Sequence, residues 1–357
     1  MHEAVRGEEK MTDEKKKATM PVSREPVALQ PGRRFLVEAT DRASILSDLA
    51  GAVREGLTSD PKVLPPWIFY DEEGSRIFAE IMELSEYYLT GTERLLLKET
   101  APRITRFFEG PIDLVELGSG TASKTRILIE AFLERHGTVR YIPIDISRSA
   151  VTEASRSLLR DYKDLEIHAL ACDFSSGLER LSEFRSRQKL VLWLGSTIGN
   201  LERRDAVALL KNVSEVLGRQ DRFLVGIDMQ KDEWILHRAY NDHRGVTARF
   251  NKNALARINR ELGGEFDLDS FAHRATYEKP AGAIRLFLVS RKDQVVRIRD
   301  LDLIVRFEKG EALHTENSYK YSFAEIEALA SASDFSIERQ WRDPLGWFTV
   351  NLFAPDQ

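Results

Sequence analysis

The sequence predicts an α/β protein: a doubly wound, largely parallel sheet closed by an antiparallel C-terminal strand pair, with a second α+β lobe. Three observations predict it. From Pro111 to Met229, short apolar runs alternate with amphipathic helical stretches, the pattern of a parallel sheet covered by helices. Beyond Met229 that rhythm gives way to helices and alternating strands until about residue 320. The C-terminal segment then offers one helix and two strands joined by a short turn, which pair antiparallel.

In chain order, "MHEAVRGEEKMTDEKKKATMPVSREP" is charged and lacks the apolar core of a signal peptide. Residues 1–36 are expected to be a disordered tail, too poor in apolar surface to offset the entropy of ordering. "DRASILSDLAGAVREG" (41–56) places apolar side chains at helical spacing behind an Asp41 or Ser44 cap. "DPKVLPPWIFYDEEGS" (60–75) is a proline-punctuated aromatic loop, and helices are expected at about 75–84 and 90–107. The parallel strands are "IDLVEL" (112–117), "VRYIPID" (139–145), "LEIHALAC" (165–172), "KLVLWLG" (189–195) and "DRFLVGIDM" (221–229). Helices at 121–136, 148–163 and 202–217 separate most of them. Helices at 232–242 and 246–262 follow, then strands at 283–292, 294–300 and 302–310. Helix 323–331 and strands 335–341 and 347–354 end the chain. The expected division joins 93–229 with 321–357 as the parallel-sheet domain, and 37–92 with 230–320 as the second lobe.

Bulk properties narrow the function. The 357 residues are 42% hydrophobic and 31% charged, the balance of a globular protein. A net charge of −5 provides no general attraction to nucleic acid or anionic membrane, so a small-molecule partner is expected. One cysteine, Cys172, excludes an intramolecular disulfide and suits the reducing cytoplasm. No apolar stretch has the length of a membrane span. The seven histidines show no metal-ligand spacing, and no metal is expected. Nothing suggests obligate assembly, so a monomer is expected.

The stretch "VELGSGTASKT" (115–125) raises the question of a ligand. Gly118 and Gly120 follow a strand and precede a helix, where backbone can approach a nucleotide-like molecule closely. A dinucleotide site wants a third glycine, and the sequence has Ser123 there. No Walker lysine-serine pair follows. S-adenosylmethionine (SAM) has no phosphate, so two glycines suffice. Asp145 ends the next strand, where a carboxylate accepts both ribose hydroxyls; capping the following helix is its plain alternative. Asp173 and Phe174 end the third, an acid and a ring suited to an adenine; a turn acid and a core phenylalanine are the alternative. Three such signals on one carboxyl edge select SAM, and five parallel strands, an excursion, a helix and an antiparallel pair match the Rossmann-like SAM methyltransferase sheet.

More specific stretches follow. "LPPWIFYDEEGSRIFAEIMELSEYYLTGTE" (64–93), "VELGSGTASKTR" (115–126), "LWLGSTIGNL" (192–201), "AYNDHRGVTARFNKNALARINRELGGEFDLDSF" (239–271) and "TENSYKY" (315–321) together resemble the histidine-specific SAM-dependent methyltransferases. That family trimethylates the α-amino group of L-histidine to hercynine, the first step of ergothioneine biosynthesis. The resemblance runs from about residue 42 to the C-terminus.

It implies that Gly118, Lys124, Asp145, Asp173 and Phe174 contact SAM, with Tyr87 bordering both ligands. Lys124 sits in the first turn of a helix, where it gains nothing from the macrodipole. An anionic partner such as the methionine carboxylate would explain it; a solvated surface lysine is the alternative. For L-histidine the resemblance points to Tyr70, Phe78, Tyr87, Gly195, Asn200, Tyr240, Glu316 and Ser318, with Tyr70, Tyr87 and Asn200 nearest the chemistry. Glu316 and Ser318 are two apart in an apparent strand, so they share a face. A carboxylate and a hydroxyl satisfy the two imidazole nitrogens, one as donor and one as acceptor. Asn200 and Tyr240 are expected at the substrate's carboxylate and amino end. Leu286 stands where the family has a methionine against the ring, a swap of similar volume.

Rival readings are distinguishable. A related enzyme for another aromatic amino acid, such as tryptophan, would carry an apolar or small residue in place of Glu316. A non-catalytic SAM-binding regulator would have lost the substrate face.

Overall fold

The computed structural model describes residues 34–40, 42–184 and 186–356. In chain order the elements are β1 (Phe35–Ala39), α1 (Arg42–Thr58), α2 (Glu72–Met82), α3 (Tyr88–Ile104), β2 (Ile112–Leu117), α4 (Thr125–His136), β3 (Val139–Ile144) and α5 (Arg148–Asp161). β4 (Leu165–Ala171), α6 (Phe174–Leu181), β5 (Gln188–Trp193), α7 (Arg203–Val216) and β6 (Arg222–Asp228) complete the alternating region. The excursion holds α8 (Glu233–Tyr240), α9 (Val246–Leu262), β7 (Phe271–Glu278), β8 (Ala283–Ser290), β9 (Gln294–Ile298), β10 (Leu303–Phe307) and β11 (Ala312–Tyr319). α10 (Phe323–Ala332), β12 (Phe335–Arg342) and β13 (Phe348–Pro355) close the chain.

The large sheet has the order β1-β4-β3-β2-β5-β6-β13-β12. β1 to β6 run parallel, and β13 enters antiparallel against β6 with β12 at its other edge. This is the α/β sheet with an antiparallel C-terminal pair that the sequence predicts. Its central strands are buried on both faces, which explains continuous runs such as "LVLWL". Alternate residues of one strand serve two different cores: Val115 and Leu117 pack with α6, α7 and α10, whereas Ile112 and Leu114 pack with α3, α4 and α5. The chain reverses direction across the sheet at β2, so the crevice at its carboxyl end is where such folds take ligands.

The excursion forms a three-stranded antiparallel sheet, β11-β8-β7, and a β9–β10 hairpin. Their apolar faces share a core with α1, α2 and α9. The two parts join beside the sheet's carboxyl edge: Met229 bridges Tyr321, and the Tyr321 N–H donates to Asp228 O at 3.0 Å. Gly199 makes this junction possible, because a Cβ there would lie 2.7 Å from Tyr319 O.

Several expected elements differ. Helix α4 starts at Thr125, not 121, because Gly118, Gly120 and Ala122 adopt positive φ and keep the chain in a turn. α2 begins at Glu72, since Asp71 caps it by accepting the Gly74 N–H. α3 ends at Ile104 and tightens into a 3-10 turn over Thr105–Phe107. Strand β7 and helix α6 were not expected; α6 is a short helix started by the Asp173 cap. Nor was β1, which lies at the sheet edge against β4 and so takes Phe35 and Leu36 out of the expected tail and residues 37–39 out of the expected second lobe. The rest of that tail, residues 1–33, lies outside the described residues, as does Asp41; α1 begins at Arg42, so Ser44, the alternative cap, lies inside the helix. No helix among the described residues is long and apolar enough to cross a membrane.

Candidate active site

The carboxyl ends of β2, β3, β4 and β5 open into a cavity of about 620 Å³. Its first wall is the glycine turn. Gly118 has φ +72°, and a Cβ there would sit 3.6 Å from Phe174 Cζ, so ring and turn face each other across a narrow slot. Phe174 is steadied edge-on by Trp193, with ring centres 6.0 Å apart. The Asp145 carboxylate accepts the Gly120 N–H at 2.9 Å and the Ser147 N–H at 2.9 Å. It is not the cap of α5: Ser147 is, accepting from the Ala150 N–H. Each Asp145 oxygen therefore has acceptor capacity left, and the carboxylate borders the cavity. Burial raises its pKa, with the two N–H bonds opposing.

Asp173 takes the structural alternative as well as a cavity position. It accepts the Ser176 N–H at 3.0 Å and the Ser176 hydroxyl at 2.6 Å, capping α6. With Phe174 it borders the same cavity.

Lys124 is not a solvated surface lysine: its side chain is 15% exposed and borders the cavity. Its ammonium pairs with Glu93 of α3, a residue with no exposed side-chain surface. Glu93 also accepts the Gly195 N–H at 2.9 Å from each oxygen. Three segments distant in sequence are thereby tied at one point. The sequence reading missed Glu93, whose burial on α3 was visible only as one acid among apolar residues. It also missed Glu116, the last buried acid of β2. Glu116 accepts the Thr125 hydroxyl at 2.6 Å and the Tyr141 hydroxyl, yet burial pushes its pKa up to about 7.

The opposite wall is aromatic and comes from the second lobe. Tyr70 meets Phe78 edge-on at 5.7 Å, and Phe78 meets Tyr87 at 6.4 Å. Phe250 of α9 backs Tyr70 and Phe78 at 5.4 and 5.6 Å. Tyr87 continues the series to Tyr240 at 6.1 Å. Burial, then neighbouring negative charge, raises the Tyr70 and Tyr87 pKa values well above the ordinary phenol, so both stay protonated at neutral pH.

Behind Tyr87 and Asn200 lies the buried end of the site. Glu316 and Ser318 do share a face of β11, and Leu286 of β8 sits directly opposite Glu316 in the register. Asn317 points the other way, its amide donating to Glu202 at 2.8 Å. The Asn200 amide, oriented by its surroundings, donates to Glu316 Oε1 and Asn317 O at 3.2 Å each. Burial pushes the Glu316 carboxyl up to about 7, with the Lys320 charge opposing. Ser318 Oγ lies 2.7 Å from Tyr240 Oη, and Lys320 Nζ donates to both. Lys320 also pairs with Asp228 at the end of β6, where Lys231 and the Tyr88 hydroxyl converge. None of Asp228, Lys231 and Lys320 was expected in the site.

Of the expected residues, Tyr70, Phe78, Tyr87, Gly118, Lys124, Asp145, Asp173, Phe174, Gly195 and Asn200 border one cavity. Tyr240, Leu286, Glu316 and Ser318 are buried just behind it. A shallower cleft of about 970 Å³ beside α5 shares Ile45, Tyr70 and Ile146 with this cavity but not the strand-end carboxylates of Asp145 and Asp173. Chemically, the arrangement sets backbone and carboxylate acceptors for one polar ligand against an aromatic wall, and ends in a carboxyl and a hydroxyl for a second.

Comparison with known proteins identifies the family. A family described as "Histidine-specific methyltransferase, SAM-dependent" matches residues 49–355. A histidine N-alpha-methyltransferase of Mycolicibacterium smegmatis is 40% identical over 300 residues, covering 84% of this chain and 92% of that protein. One from Mycobacterium tuberculosis is 38% identical, over 85% of this chain and 93% of its own length. Ergothioneine biosynthesis protein 1 of Neurospora crassa is 31% identical over 79% of this chain, a match that spans 32% of that longer protein.

Proposed function

Because the chain belongs to the family of histidine-specific, SAM-dependent methyltransferases, we propose that it trimethylates the α-amino nitrogen of L-histidine to hercynine, the first step toward ergothioneine. It works as a cytoplasmic monomer, a reading that goes with its single buried thiol and its acidic net charge. The observation that carries the substrate reading is the Glu316–Ser318 pair, on one face of β11 and buried just behind the aromatic wall of the cavity.

The residues fit SAM. Gly118 leaves room for close backbone approach, Asp145 keeps acceptor capacity for ribose hydroxyls, and Asp173 and Phe174 suit an adenine. Lys124, held by Glu93, still has hydrogens for a carboxylate. When bound, SAM supplies a methyl group on a sulfonium, open to in-line attack. The protein's part is to hold the amine in line; well-oriented pairs gain about 7–11 kcal/mol over free encounter. Tyr70, Tyr87 and Asn200 do that positioning. Both tyrosines remain phenols, so neither is a base. Desolvation in the aromatic pocket favours the neutral amine, and a water on a tyrosine hydroxyl carries the proton outward. The ring faces of Tyr70 and Tyr87 accommodate the growing ammonium head.

The test is mass spectrometry of purified protein with SAM and each free amino acid. A product three methyl groups heavier, formed from L-histidine alone and lost in Glu316→Ala, supports the reading. Turnover of tryptophan instead would overturn the histidine assignment while keeping the fold and cofactor.

A further inference from the structure

Lys320 lies two residues beyond Ser318, and its side chain has no exposed surface. An ammonium has three hydrogens and no lone pair. Three oxygens surround this one: Tyr240 Oη at 2.8 Å, Ser318 Oγ at 2.9 Å and Asp228 Oδ2 at 2.8 Å. Every hydrogen is spent inside the protein, and none remains for a ligand. Its effect is on what its neighbours offer. Tyr240 Oη and Ser318 Oγ lie 2.7 Å apart, so one donates to the other. Either hydroxyl can donate in this pair; the phenol is the more acidic and the better donor, which favours the arrangement in which Tyr240 gives its hydrogen to Ser318. Ser318 Oγ then accepts from Tyr240 and from Lys320, which fills both its lone pairs. Its own hydrogen is all it has for a third group. Glu316, on the same strand face, is an acceptor when ionised.

We propose that Lys320 is a positioning residue for ring recognition: it makes Ser318 a donor only, so that Glu316 and Ser318 together select a neutral imidazole, N–H toward Glu316 and bare nitrogen toward Ser318, over an imidazolium. This rests on the histidine reading of the site. An imidazolium carries N–H at both nitrogens, and its second N–H would meet the Ser318 hydrogen with the Lys320 charge behind it. The surrounding charges agree. Above the Glu316 pKa of about 7, Lys320 and Lys231 stand against Asp228 and an ionised Glu316, while Tyr88, Tyr240, Tyr70 and Tyr87 are neutral phenols. A neutral ring leaves that set balanced; a cationic ring does not. Asp228 offers no relief, because Lys320, Lys231 and the Tyr88 hydroxyl already occupy its oxygens.

The test is the ¹⁵N spectrum of ring-labelled L-histidine bound to the full-length enzyme with S-adenosylhomocysteine, at pH about 7.5, above the Glu316 pKa of about 7 and within about one unit of that of the free ring. The expected wild-type spectrum has one protonated and one bare nitrogen. In Lys320→Met, and in Tyr240→Phe as a second way to free a Ser318 lone pair, both nitrogens shift toward the protonated position. In steady state at pH 8, Lys320→Met raises KM for L-histidine about tenfold with a smaller change in kcat, the loss of one good hydrogen bond. That rise shrinks in a Ser318→Ala background, whereas a merely structural lysine gives additive effects. A cationic ring in the wild type, or spectra that neither variant alters, overturns the inference. Wild-type protein that binds no labelled histidine overturns the histidine reading, and the inference with it.

Discussion

The Lys124 ammonium rests on the carboxylate of Glu93, and the same carboxylate accepts the Gly195 N–H at 2.9 Å. A helix residue, a residue of the glycine turn and a loop after β5 are thus fixed relative to one another at the edge of the cofactor wall.

The two halves of this pair are not equivalent. Lys124→Met leaves a fully buried carboxylate with one backbone donor, and is expected to cost about 3–5 kcal/mol. Glu93→Gln keeps a hydrogen-bonding side chain, and the released ammonium, 15% exposed, reaches water in the cavity; its expected cost is about 1–2 kcal/mol. Urea unfolding of both variants checks the order. Equal costs would mean that Glu93 is not held as a charge.

Gly226, in the middle of β6, marks the room that Glu93 needs. A Cβ at residue 226 would lie 2.0 Å from Glu93 Oε1. Gly226→Ala is expected to cost about 1–3 kcal/mol through overpacking. Most of that cost should vanish in a Glu93→Ala background, where the added methyl has space. Denaturation midpoints of the two singles and the double measure the coupling.

Asp145→Asn replaces two acceptor oxygens by one. Either Gly120 or Ser147 loses its acceptor, and the charge-assisted bonds to a ribose are lost. SAM affinity by titration calorimetry is expected to fall about ten- to hundredfold. An unchanged Kd would remove Asp145 from the cofactor site.

Glu316 makes stability depend on pH. Its folded pKa is raised to about 7 from an ordinary 4.5, chiefly by burial. The folded state therefore holds a proton that the unfolded state releases, and the associated stability is full below 4.5 and lost as pH rises through 7. Relative to Glu316→Gln, the wild type should lose at most about 1.4 kcal/mol per pH unit across that window. Glu116 titrates in the same window but is present in both proteins and cancels. Thermal unfolding between pH 4.5 and 8 reads the difference. A flat difference would place the Glu316 carboxyl in water.

How much of this was legible depended on how local the signal was. Gly118, Asp145, Asp173 and Phe174 were legible because each closes a strand, and consecutive strand ends of a parallel sheet share one edge whatever the rest of the chain does. Glu316 and Ser318 were legible as a same-face pair because strand periodicity needs only a two-residue spacing. The partner of Lys124 was not, because Glu93 lies 31 residues away on a helix that only packing brings alongside. Helix α6 was missed because Asp173 begins it as a cap, a role that reads the same in sequence as a turn acid. Strand β1 was missed because five residues of modest apolarity carry no alternation strong enough to separate from a charged terminus.

The sequence by itself determined the alternating sheet, its ligand edge and the residues that carry the family resemblance, since these follow from periodicity and from side-chain chemistry at each position. The tertiary structure alone decided the charge pairings: Lys124 with Glu93, and Lys320 with Asp228 and Tyr240. A buried charge takes its partner from whichever segment the packing delivers, and separations of 80 to 140 residues, as for Tyr240–Lys320 and Tyr88–Asp228, leave no local trace. The same packing put the Ser318 hydroxyl within hydrogen-bond reach of Tyr240 Oη and Lys320 Nζ, because hydrogen-bond roles are settled by the atoms that close around a group.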